Sequence, residues 1–190
     1  MTIEDSPLTI NQWSRSGKQR VGNIALIIHW FANPGQSAHE CWQFYENRKY
    51  GKTEYGSSHY LIGLEGEIIR NMPEPEVSYN CGSSKIDPIS GKIYTDLARS
   101  KFGKYAIDHV DLSPNLVTIS IECAHTNWSG KMTDKTIASL KELSKDICTR
   151  YKLNTDTDVL LHKEVVGWKP CHQWYVSNPE DWKTFKESLK

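Results

Sequence analysis

The chain has 190 residues, 38% hydrophobic and 24% charged, ordinary values for one soluble globular domain with a sizeable core. Lysine plus arginine equals aspartate plus glutamate at 23 each, so the formal net charge is zero and the usual electrostatic case for nucleic acid or an anionic membrane surface falls away. No apolar run approaches the ~20 residues of a membrane span, and Met1-Thr2-Ile3-Glu4-Asp5-Ser6 lacks the basic-then-apolar order of a secretory leader.

The first apolar run, Ile24 to His29, is β-branched and continuous, as in a buried central strand. Asn33-Pro34-Gly35 is a turn, and Ser37 N-caps a helix predicted to reach about Tyr50. Ala38, Cys41, Trp42 and Tyr45 recur in it at helical spacing and should face the core. Ser58 to Leu64 and Glu67 to Asn71 form a hairpin about Glu65-Gly66. Residues 82–115 are irregular, with a short helix over Tyr94 to Phe102; they form either a wall of a binding groove or a surface insertion. Val117 to Cys123 is another buried strand. Thr133 caps a long helix to about Tyr151, whose apolar stripe is Ile137, Leu140, Ile147, Cys148 and Tyr151. Val159 to His162 is the next strand. Asn178 caps a last helix with Pro179 in its first turn, packed down by Trp182, Phe185 and Leu189. This alternation predicts a single α/β domain with a central mixed β-sheet flanked by helices.

The five cysteines are an odd number and do not suggest a disulfide scaffold. Reduced thiols are expected, with Cys41, Cys123 and Cys148 in the core and Cys81 undecided. His29 and His162 each end an apolar strand, where ligand sites gather in α/β sheets. Cys171 follows nine positions after His162 in the turn-bearing stretch Gly167-Trp168-Lys169-Pro170-Cys171. Two imidazoles and a thiolate suit zinc, and three protein ligands leave a fourth tetrahedral position open, which distinguishes a catalytic zinc site from a closed structural one. His172, beside Cys171, is the competing ligand. His59 is a core residue or a supporter of the site, His125 a candidate for its border, and His39 and His109 surface residues.

His29 in an Ile-Ile-His-Trp strand end, Ser57 to Gly63 around His59, Ile119-Ser120-Ile121-Glu122-Cys123, and His162 to Cys171 with Lys169 occur in this order. Together they resemble the type 2 zinc-dependent N-acetylmuramoyl-L-alanine amidases, a family of phage endolysins, bacterial autolysins and peptidoglycan recognition proteins. The resemblance runs over about residues 20–188 and is strongest to phage and prophage endolysins. It implies His29, His162 and Cys171 as ligands of one catalytic Zn²⁺ at the strand ends, with Glu122 and Lys169 as catalytic residues. Other members place a tyrosine before the His of the second strand. Here that position is Ser58, which shifts the acid–base role to Glu122. The loop from His162 to Cys171 is also about one residue longer than in some members.

The implied activity is hydrolysis of the amide between N-acetylmuramic acid and L-alanine of peptidoglycan by a monomer with no nucleic-acid or membrane partner. The alternatives are a non-catalytic peptidoglycan-binding protein and a zinc hydrolase of another amide. A phage-type lysin with no signal peptide would be made in the cytoplasm and reach the cell wall once the membrane is breached. Residues 1–190 are expected to be one catalytic domain, without a separate wall-binding domain.

Overall fold

The apolar run from Ala25 becomes the interior of a six-stranded sheet because it carries hydrophobic side chains on both faces. The computed structural model describes residues 1–51, 54–107 and 112–190. Its strands are β1 (Ile3–Asp5), β2 (Ala25–Trp30), β3 (Tyr60–Ile62), β4 (Ile68–Arg70), β5 (Thr118–Cys123) and β6 (Val159–Leu161). The spatial order is β1-β4-β3-β5-β2-β6. All neighbours are parallel except the β3–β4 hairpin. The sheet is therefore mixed, with helices on both faces. Strand β1 was not foreseen, since three residues with polar flanks carry little pattern.

Helix α1 (Ala38–Glu46) begins at a capping box in which Ser37 and Glu40 bond each other's backbone, and its last turn tightens into a 3₁₀ segment, Asn47–Tyr50. Ala38, Cys41 and Tyr45 pack it on Leu61, Ile69 and Met72, with Trp42 only partly buried. Helix α2 (Asp96–Phe102) falls within the irregular segment. Its Ala98 and Phe102 join the core shared with Ile27, Val165 and Val166. That stretch is thus structural as well as superficial. Helix α3 (Asp134–Tyr151), capped by Thr133, and helix α6 (Pro179–Glu187) cover the other face through Leu140, Leu143, Ile147, Trp182 and Phe185.

Three details depart from the predicted pattern. Ile137 is exposed, because the core stripe of α3 starts at Thr136, whose hydroxyl donates to the Gly63 carbonyl at 2.8 Å. Asn178 stands at the N-cap position of α6 as expected, but its side chain makes no capping bond; its amide donates to Trp174 O at 2.9 Å and closes a short unforeseen helix, α5 (Gln173–Ser177). His162 lies one residue beyond β6, opening helix α4 (His162–Val166). Among the described residues, no helix is long and apolar enough to cross a membrane.

Glu74 ties the hairpin to α3. Its carboxylate accepts from both Arg150 Nη atoms at 2.6 and 2.8 Å, from the Tyr151 hydroxyl at 2.5 Å and from the Tyr60 hydroxyl at 2.7 Å. Burial alone would raise its pKa, but these bonds outweigh burial and bring it from 4.5 down to about 2. A depressed carboxylate stabilises the fold above its unfolded pKa and loses that contribution as pH falls through the folded value. Glu74→Gln is therefore expected to cost about 2–3 kcal/mol at pH 7. In urea denaturation the gap to wild type should close between pH 4.5 and about 2; a constant gap across that window would contradict the assignment.

Candidate metal centre

Each proposed ligand is placed by a different stretch of backbone. His29 is the penultimate residue of β2 and faces the side of the sheet that carries Ala25 and Ile27. At the end of β6, the Glu164 carboxylate accepts from Leu161 N at 2.7 Å and turns the strand into α4, which sets His162 on the first helical turn. Gly167, at φ +67°, ends that helix in a conformation that favours glycine. The loop then folds back until Lys163 N donates to Cys171 O at 2.9 Å. Thr95 N donates to Val165 O at 3.0 Å, so the irregular segment buttresses the same helix.

The result is a buried cluster in which one ligand atom each of His29, His162 and Cys171 lies within 4.8 Å of the others. Cys171 Sγ is 3.5 Å from His29 Nδ1, and the two imidazoles meet edge-on with centroids 4.8 Å apart. His29 Nε2 and His162 Nδ1 are sealed from solvent without a hydrogen-bond partner. Burial, followed by the nearby charge of Lys169, holds His29 down at about 3. Burial, followed by the charge of His29 and then of Lys169, brings His162 well below its usual value. Both rings are therefore neutral at pH 7, the form that offers a lone pair to a metal. Burial and the Glu122 charge raise the Cys171 thiol to about 12, against Lys169 and the Trp30 amide. A borderline-soft cation among them would take one lone pair from each imidazole and stabilise the thiolate. The residues fit zinc.

Glu122 sits beside the cluster because β5 and β2 pair in register, with Glu122 opposite His29. As a residue it is partly enclosed, but its Oε2 is sealed and unpartnered while Oε1 accepts from the Tyr45 hydroxyl at 3.1 Å. Burial pushes its pKa up to about 7, moderated by Lys169 and the Tyr45 hydrogen bond. Glu122, Lys169, His162 and Cys171 line one cleft of about 310 Å³, with Trp30, Tyr45, Arg48 and Trp168 among its walls. A larger hollow of about 520 Å³ shares Tyr55, Tyr79 and Gly82 with that cleft and extends along Ser83, Ser84 and Ser113. The segment from residue 82 therefore also supplies a wall.

The other candidates lie elsewhere. His172 is fully buried, but its ring packs against Trp30 and Tyr175, outside the cluster. His59 is a core residue: Nε2 bonds to Glu76 O at 3.0 Å, and Nδ1 accepts from Ser120 N at 3.2 Å and meets Ser78 Oγ at 3.0 Å. From there Asn80 donates to Ser78 Oγ and Thr118 Oγ1 and approaches His29, so His59 connects to the cluster only through Ser78 and Asn80. His125 stacks on Trp30 and binds Asn127 O, behind the cleft wall. His39 is exposed, 3.4 Å from Glu4, and His109 lies outside the described residues. Ser58 is buried and donates to Tyr60 O. All five cysteines are free and buried, Cys81 against Thr118. Two cleft residues, Tyr45 and Asn80, carry no motif of their own, and only the helical spacing of Tyr45 pointed it inward.

Residues 22–174 match the profile of a protein family described as N-acetylmuramoyl-L-alanine amidase. Among curated proteins the chain is similar to the N-acetylmuramoyl-L-alanine amidase BlyA of Bacillus subtilis strain 168, at 23% identity over 98% of this chain and 46% of that protein. It is also similar to the N-acetylmuramoyl-L-alanine amidase CwlL of Bacillus licheniformis, at 26% identity over 95% of this chain and 44% of that one. The chain spans about half the length of these relatives. Among solved structures it shares the fold of a mutant endolysin from Bacillus subtilis, with a TM-score of 0.69 at 16% identity over 100% of this chain and 99% of the other.

Proposed function

The chain belongs to the N-acetylmuramoyl-L-alanine amidase family, and from that premise we propose that it is a zinc-dependent hydrolase of the amide joining N-acetylmuramic acid to L-alanine in peptidoglycan. The observation that carries the proposal is the convergence of His29, His162 and Cys171 beside the unpartnered oxygen of Glu122. In its setting it acts as an endolysin-type lysin on the cell wall.

His29, His162 and Cys171 would hold the zinc ion. When bound, the ion supplies Lewis acidity, polarising the scissile carbonyl and making water a nucleophile near neutral pH. Glu122 does the proton work. Its Oε2 accepts a proton from the attacking water and returns it to the nitrogen of the departing L-alanine, a dual role suited to a carboxyl poised near 7. The C–N bond breaks, the acyl carbon keeps the new oxygen, and the stem peptide leaves with a free amine. The Lys169 ammonium, half-buried on the cleft wall, offsets the negative charge that grows on the carbonyl oxygen.

Incubation of purified wall with the protein tests the proposal. Expected are new amino groups from L-alanine without new reducing sugars, abolished by a chelator and restored by zinc. Wall that binds the protein and releases nothing would favour a recognition role. Release that a chelator leaves untouched would remove the metal from the reaction.

A further inference from the structure

The phenol that reaches Glu122 comes from helix α1, not from the strands that carry the other reactive groups. Tyr45 lies one turn after Cys41, on the face that packs against Leu61 and Met72, and its ring is buried. The hydroxyl extends past that contact, donates to Glu122 Oε1 at 3.1 Å and lines the cleft. Oε1 is thereby tied, while Oε2 has no partner. The helix holding the phenol is itself fixed at both ends. Ser37 and Glu40 close a capping box at its start, and at its end Glu46 accepts from Thr9 N at 2.8 Å and from Thr9 Oγ1 at 2.6 Å. A carboxylate pinned by one oxygen on a fixed donor has lost most of its rotational freedom.

We propose that Tyr45 is a positioning residue for Glu122: its hydroxyl holds Oε1 and leaves Oε2, buried without a partner, as the oxygen that exchanges the proton. The inference rests on the role given to Glu122 above. Burial, with the Glu122 charge, also raises the Tyr45 phenol well above 10, so it stays protonated and can only donate to a charged Glu122.

Tyr45→Phe keeps the ring and removes the hydroxyl. On a soluble muramyl-peptide it should lower kcat about 10-fold, the weight of one hydrogen bond to a charged group, with KM within about 2-fold of wild type. Bound metal and melting temperature should not change. In a Glu122→Gln background the same substitution should change the residual rate less than about 2-fold, because the group it positions is gone. A wild-type kcat for Tyr45→Phe overturns the proposal, and so does an equal loss in both backgrounds. Should Tyr45→Phe be destabilised, Cys41→Ala serves as the packing control on the same helix face; an equal fall in kcat there would make the effect one of packing and sink the proposal. A Glu122→Gln enzyme as fast as wild type would instead refute the role of Glu122, a separate result.

Discussion

Cys171→Ala is expected to lose metal and activity together. The thiol is 2% exposed and 3.5 Å from His29 Nδ1, so it is an integral member of the cluster. Without it, two neutral imidazoles remain, with no anionic ligand to balance a dication. Loss of a partner outside the ligand set typically costs 10–100-fold in metal affinity, and loss of a ligand should cost more than about 100-fold. The fold should persist, since one sulfur is a small deletion in a core of this size. Metal analysis after dialysis, with competition against a chelator of known affinity, measures the first effect, and amine release from wall measures the second. A variant that keeps one equivalent of zinc would exclude Cys171 and return attention to His172. The structure argues against that outcome, because the His172 ring lies between Trp30 and Tyr175 while Cys171 turns to the histidines.

Glu122→Gln should keep metal and fold and still lose about 10²–10⁴ in turnover, the range assigned to a positioned acid–base group. Glutamine has the same shape and can still accept from Tyr45, so the cleft is preserved. What disappears is a carboxylate poised near 7 that can take up and return a proton. The stability of the variant separates catalytic from structural roles. Burial disfavours the Glu122 charge, so neutralising it should leave the melting temperature equal or higher. A carboxylate serving only as a buried ion-pair partner would do the reverse. Near-normal wall lysis would remove Glu122 from the mechanism.

Much of this architecture was legible in the residues. Ile24 to His29, Val117 to Cys123 and Val159 to His162 are short runs dominated by apolar residues, and they became the parallel core β2, β5 and β6, each within a residue or so. The N-cap signals at Ser37 and Thr133 were local chemistry and therefore readable. Asn178 marked the start of α6 correctly, although its side-chain amide bonds back to Trp174 O and makes no capping bond. Helix α4 was hidden because its first residue also reads as the end of a strand, and the Glu164–Leu161 bond that starts it shows only in three dimensions. Ser58 suggested a site without a phenol. Tyr45 supplies one from a helix whose apolar spacing marked it only as core, since no periodicity reveals that a core tyrosine is long enough to reach across a layer.

The residue-for-residue pairing of His29 with Glu122 also determines which alterations the domain can absorb. A single insertion or deletion within β5 would swing Glu122 to the opposite face and bring Ile121 or Cys123 in its place, removing the carboxylate from beside His29. Length changes are safe only where no register is at stake. The exposed turn between Asp87 and Lys92 is such a place, provided that Thr95 still holds α4 by the Val165 carbonyl. Changes of length confined to that turn would leave both the strands and α2 untouched.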